Sequence, residues 1–143
     1  MDTLNLHSHF ENLLYVGRSV LTNTSSRIRR LFFKNEMCIY EYLFMEEVNK
    51  GIEIVVDNAV LVCVLENDVC NKSILYFNDS VNIASYINYC NSNFEYNKAL
   101  DKWIMPDGYL GLFIPTDDFE KRFAFVQTLV VLRQIWWYFF YCE

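Results

Sequence analysis

Glycine and proline are scarce, four and two in 143 residues. Few breakers leave little room for long irregular loops. The glycines at 17, 51, 108 and 111 assemble neither a GxGxxG turn nor a phosphate-cradling P-loop. Histidine is equally rare. Only His7 and His9 are present, so a serine or cysteine nucleophile has few bases to draw on. Their spacing would put both on one side of a strand, yet no CxxC or HExxH accompanies them, and Cys63, Cys70 and Cys90 stand seven and twenty residues apart. We expect no catalytic set, no cofactor and no metal site.

Positive charge is also in short supply. Twelve Lys and Arg face eighteen Asp and Glu, for a net charge of −6 and a pI of about 4.9. An acidic surface repels phosphate backbones and anionic lipid and speeds encounter with a basic protein. One basic run exists, RIRRLFFK, with Arg27, Arg29, Arg30 and Lys34 around Phe32 and Phe33. Interleaved arginines and aromatics can stack bases, but four charges against the whole chain's deficit leave a weak footprint. Nucleic acid is not an expected partner, and pairing with the chain's own acids is the expected role of these arginines.

The one long apolar run is FAFVQTLVVLRQIWWYFFYCE, Phe123 to Glu143. Phe123–Tyr141 has 19 residues, the length of a short membrane span. About ten strongly apolar residues favour insertion by roughly 4 kcal/mol in total, while Arg133 near the midpoint opposes it by about 2.5–3.5 kcal/mol. Gln127, Thr128 and Gln134 remove the remainder. Insertion is not driven. Glu120, Ala124, Gln127, Val131, Gln134 and Tyr138 would form a narrow polar stripe on a helix. Asp117 with Glu120 three residues on reads as a capping box. The spacing predicts a C-terminal helix lying in a groove of its own protein.

Aromatics are what the chain has in excess: ten Tyr, twelve Phe and three Trp, 17% of residues within a 53% hydrophobic composition. That composition describes one globular domain over residues 1–143, long enough to bury roughly two-thirds of its unfolded surface. Five cysteines are an odd number. Asp2, and the polar run from His7 to Glu11, do not read as a secretory leader. A reducing cytoplasmic setting is expected, with cysteines serving as small hydrophobes.

Along the chain, Leu6, Phe10, Leu13, Leu14, Gly17 and Leu21 recur at helical spacing before a polar break at Thr22–Ser26. Residues 27–50 admit two readings. Cys38, Tyr40, Tyr42 and Phe44 alternate as one strand face, with Lys34-Asn35-Glu36 as a possible hairpin turn, while Lys50-Gly51 resembles a helix stop. The strand reading is preferred. Ile52–Val56 and Val60–Leu65 flank Asp57-Asn58, a tight-turn pair. Ser73–Phe77 reads as a third strand. Asp79 would cap a helix whose stripe is Ile83, Ile87, Cys90 and Phe94. Met105–Gly108 reads as a turn after Trp103, and Tyr109–Ile114 as a short strand. These elements make an α+β fold: an antiparallel meander sheet of about 4–5 strands packed by N-terminal, middle and C-terminal helices.

The acids cluster. Glu46, Glu47 and Glu53 surround Gly51, read as a turn; Glu66 and Asp68 stand at a hairpin end; Asp117, Asp118 and Glu120 begin the last predicted helix. Gathered on neighbouring edges, they would make one negative docking face with aromatic anchors beside it. A small acidic α+β chain without a catalytic set is similar in type to bacterial immunity proteins, which neutralise basic nuclease toxins of contact-dependent growth inhibition systems. That class analogy implies a non-catalytic binder of a cognate basic toxin domain, present as a monomer or weak homodimer, with no membrane partner. The alternatives are a virus-encoded or other host-interaction adaptor and, third, a small hydrolase whose deep pocket would hold at least two of these acids or His7 and His9.

Overall fold

The computed structural model describes residues 3–57, 59–77, 83–115 and 123–129. Helix α1, Thr3–Ser19, buries Phe10, Leu13 and Leu14, the centre of the predicted stripe. The chain reverses through Thr22, and the Thr24 side chain caps a second, short helix by accepting from the Arg27 N–H at 3.3 Å. This helix, α2 (Ser25–Leu31), replaces the first part of the strand reading for residues 27–50. It buries Ile28 and leaves Arg29 and Arg30 exposed. The second part holds. Strand β1 is Met37–Phe44, and Cys38, Tyr40 and Tyr42 do share one face of it, while the Phe44 side chain lies outside what the structure describes.

Four strands then run as a meander: β1, β2 (Glu47–Val56), β3 (Ala59–Glu66) and β4 (Val69–Phe77), each antiparallel to the next. The predicted pair around Asp57 is β2 and β3. Lys34-Asn35-Glu36 does not turn a hairpin. Asn35 instead donates its side-chain amide to the Val55 carbonyl at 2.9 Å, and Glu36 accepts from the Val55 N–H at 2.9 Å, pinning the α2–β1 connection to the end of β2. Gly51 is no turn either. It lies inside β2 opposite Tyr40, whose ring sits where a Cβ would be, 2.4 Å from the nearest ring carbon. The local signal for a helix stop yields here to a cross-strand aromatic that needs the space.

Helix α3, Ile83–Asn93, carries the chain across to the far edge of the sheet and buries Tyr86 and Cys90. Three strands follow: β5 (Glu95–Asn97), β6 (Lys102–Ile104) and β7 (Tyr109–Pro115), the last two joined through a 3-10 turn at Pro106–Gly108. The last described strand, β8, is Phe123–Leu129. It inserts between β4 and β7, so the order across the sheet is β1-β2-β3-β4-β8-β7-β6-β5. The expected C-terminal helix is therefore overturned over these seven residues, which occupy the middle of the sheet. The stretch FAFVQTL alternates, and side chains two apart face alike in a strand. Phe125 and Gln127 turn to the helix side, Ala124 and Val126 to the other. Residues 116–122 and 130–143, with the capping box and the rest of the predicted helix, lie outside the described residues. Among the described residues eight strands replace the expected four or five, and the α+β class stands.

The core lies between the sheet and α1 with α3. Phe10 is its hub. Its ring touches those of Phe77, Tyr86, Tyr89, Phe113 and Phe125 at centroid distances from 4.4 to 6.0 Å, several of them edge-on. Edge-to-face pairs each contribute about 0.5–1.5 kcal/mol beyond their area burial.

Candidate functional site

Hairpins alternate ends in a meander. The β1–β2 turn (Met45-Glu46) and the β3–β4 turn (Asn67-Asp68) fall at one end of the sheet, and the Asp57 turn at the other. Both acidic turns have positive φ at their two central residues: 50° and 65° at Met45 and Glu46, 52° and 61° at Asn67 and Asp68. Asn and Asp tolerate this conformation; Met and Glu do so at a cost of roughly 1–2 kcal/mol per residue.

This end carries four of the acids singled out from the sequence. Glu46 sits in the first turn and Glu47 opens β2. Glu66 closes β3 and accepts a hydrogen bond from the Asn71 side chain at 2.7 Å. Asp68 is turned the other way, toward α2, where Ser25 Oγ donates to it at 2.6 Å. Glu53 lies nearer the middle of β2, exposed, between Cys38 and Val62 on the face away from the helices. Its carboxylate, after burial, is what raises the Tyr40 phenol above its ordinary value. Asp117, Asp118 and Glu120 lie outside the described residues.

The face away from the helices holds a cleft of about 840 Å³. Tyr42, Glu47, Glu66, Lys72, Ile74 and Lys102 are among its lining residues. Tyr42 belongs to β1 and Lys102 to β6, six strand spacings apart in the sheet order. In a flat sheet that is about 29 Å. The outer face is therefore concave, bent by the ordinary twist and by a bulge in β4 opposite Val64/Leu65. Concavity also shelters Val62, Val126 and Leu110, each 7% exposed. Two carboxylates, Glu47 on β2 and Glu66 on β3, and two ammonium groups, Lys72 on β4 and Lys102 on β6, line this hollow. The acids form one wall of it, and the volume suits a small ligand or a partner's inserted side chains.

Sequence reasoning missed Lys72, Lys102 and Asn71. Their membership depends on which strands lie side by side, and β4 meets β8 across about fifty residues of chain. Among the described residues, Arg27, Arg29 and Arg30 form no ion pair, and several of the acids they were expected to meet, Asp117, Asp118 and Glu120 among them, lie outside the described residues. His7 and His9 do not form a site. On helix α1 a two-residue step turns the side chains to roughly opposite sides, and the His7 ring packs edge-on against Tyr89 at 5.4 Å.

The interior groups have structural work. Gln127, fully buried on β8, donates from Nε2 to the Leu14 carbonyl at 3.2 Å, and Gly17 on α1 leaves room for it. Ser73, its cross-strand neighbour, is buried beside it. Cys63 and Cys70 share a hydrogen bond beneath the β3–β4 hairpin, which pushes the Cys63 thiol up and pulls the Cys70 thiol down. Burial alone pushes Cys90 up to about 12. Among the described residues, no group of three or more His, Cys, Asp or Glu is placed to hold a metal ion, and no helix is long and apolar enough to cross a membrane. No protein-family model matches the chain, and neither a curated protein nor a solved structure matches it.

Proposed function

We propose that this chain is a non-catalytic binding protein of the immunity type, which neutralises a basic toxin domain by docking it on the acid-bearing end of the sheet. One observation carries the reading: two hairpin turns share that end, so Glu46, Glu47 and Glu66 gather there, with Glu47 and Glu66 on one wall of the concave face. Carboxylates held on rigid strand ends steer a cationic partner and set its association rate. Tyr42 and Met45 beside them supply the apolar anchor such an interface needs. The strained Met45-Glu46 turn fits this role, since backbone cost is commonly retained where a surface has work to do.

The test is association with the basic toxin domain encoded beside this chain, followed by stopped flow at low salt. Replacing Glu47 and Glu66 together by Lys slows association by about tenfold or more and leaves the melting temperature unchanged. An unchanged association rate, or no inhibition of that toxin by the unaltered chain, overturns the reading.

A small hydrolase is the second reading, because one cleft holds two carboxylates, the arrangement acid–base hydrolysis uses. It requires turnover of some ester or glycoside that Glu47→Gln and Glu66→Gln each abolish. Turnover unmoved by both substitutions removes it.

A further inference from the structure

The two edges of the sheet differ in kind. Strand β5 closes one edge with three residues, Glu95–Asn97, too short to template another strand. Strand β1 forms the other edge and runs eight residues, MCIYEYLF, with Glu41 its single charge. Long edge strands are ordinarily guarded by lysine, proline or a bulge. β1 has none of these.

Its surroundings are asymmetric along its length. Beside the first half, on the helix side, Arg29, Arg30, Phe33, Asn35, Met37 and Ile39 enclose a hollow of about 550 Å³. At the other end Leu43 and Met45 stand 73% and 83% exposed. Charge follows the same axis. Arg29, Arg30 and Lys34 lie by the Met37 end, and Glu46 and Glu47 by the Phe44 end. A hollow with positive charge and apolar knobs with negative charge thus occupy opposite ends of one free edge.

We infer that β1 pairs antiparallel with β1 of a second copy of this chain, about a two-fold axis through Tyr40, extending the sheet across two molecules. In this register Leu43 of the second copy faces Met37 on the helix side and enters the hollow. The Phe44 end of each strand, with Glu46 beyond it, comes beside the Met37 end of the other, with Arg29, Arg30 and Lys34. Glu41 faces Ile39 of the second copy, so the like charges that a one-residue shift of the axis would oppose are kept apart. Two-fold symmetry makes each of these contacts twice. The occupant is a copy of this chain because the hollow, the knobs and both signs of charge are spaced on the same edge to fit one another. Glu47, Glu53 and Glu66 stay on the outer face and remain free for another partner.

Sedimentation equilibrium of the full chain at low salt tests this. The expected mass is twice the 17.1 kDa of one chain. Leu43→Lys raises the dimer dissociation constant by about tenfold or more, a loss of about 1.4 kcal/mol, with circular dichroism and melting temperature unchanged. Lys34→Glu weakens the dimer as well, and adding Glu46→Lys to it restores the affinity. A single-chain mass at the highest soluble concentration overturns the inference. So does a dimer whose affinity neither Leu43→Lys nor Lys34→Glu alters.

Discussion

On the helix side of the sheet, Phe10, Phe77, Phe113 and Phe125 interlock beneath α1 and α3, and among the described residues no charged side chain is buried with them. On the concave side the same sheet presents Glu47, Glu66, Lys72 and Lys102 around a cleft, with aliphatic side chains such as Val64 and Ile74 only partly covered. One face is close-packed and sensitive to the loss of a methylene; the other is open and can change residues without changing fold. The difference teaches where to look for function. Side chains that decide stability and side chains free to meet a partner alternate along single strands, one residue apart.

The sharpest way to break this contrast is at Phe10. Phe10→Ala removes the hub of five ring contacts and lowers stability by about 3–5 kcal/mol, read as a lower midpoint in urea unfolding. Gly17→Val comes next. A Cβ there would stand 2.4 Å from Gln127 Nε2, so the branched side chain displaces the amide from Leu14 and costs about 1–3 kcal/mol by the same measurement.

The turn at the open end should respond in the opposite direction. Replacing Met45-Glu46 by Asn-Gly relieves two positive-φ positions and stabilises the chain by about 1–2 kcal/mol in urea unfolding, while weakening any partner that uses those side chains. The last effect is absent at neutral pH, grows only in alkali and belongs to the covered face. Cys90 ionises near 9.0 when unfolded and is pushed up to about 12 when folded. The folded state then holds its proton more tightly, so this contribution is intact below pH 9 and is lost between pH 9 and 12. The slope is about 1.4 kcal/mol per pH unit, and Cys90→Ala flattens it in urea titrations across that range.

Local pattern made several elements legible. Helix α1 follows its stripe of Phe10, Leu13 and Leu14, because a 3.6-residue period has one apolar face wherever it packs. The β2–β3 hairpin follows from two β-branched runs around a turn pair, and the face of β1 from plain alternation. The acids at the hairpin ends were equally readable, since charge at a turn is a local feature. Their gathering at one end was not, because it depends on a four-strand meander whose first turn is Met45-Glu46 rather than Gly51.

What the sequence determined by itself is therefore the short-range part: an aromatic-rich α+β chain, poor in breakers and basic charge, with acids at its turns and no familiar catalytic motif. Only the tertiary structure decided that Phe123–Leu129 is a central strand, that Gly51 makes room for Tyr40, and that Glu47 and Lys102 line one hollow. The physical reason is the same in each case. An apolar stretch such as FAFVQTL satisfies a helix or a strand equally well in isolation, and the choice falls to the two strands, β4 and β7, that offer it hydrogen bonds on both sides.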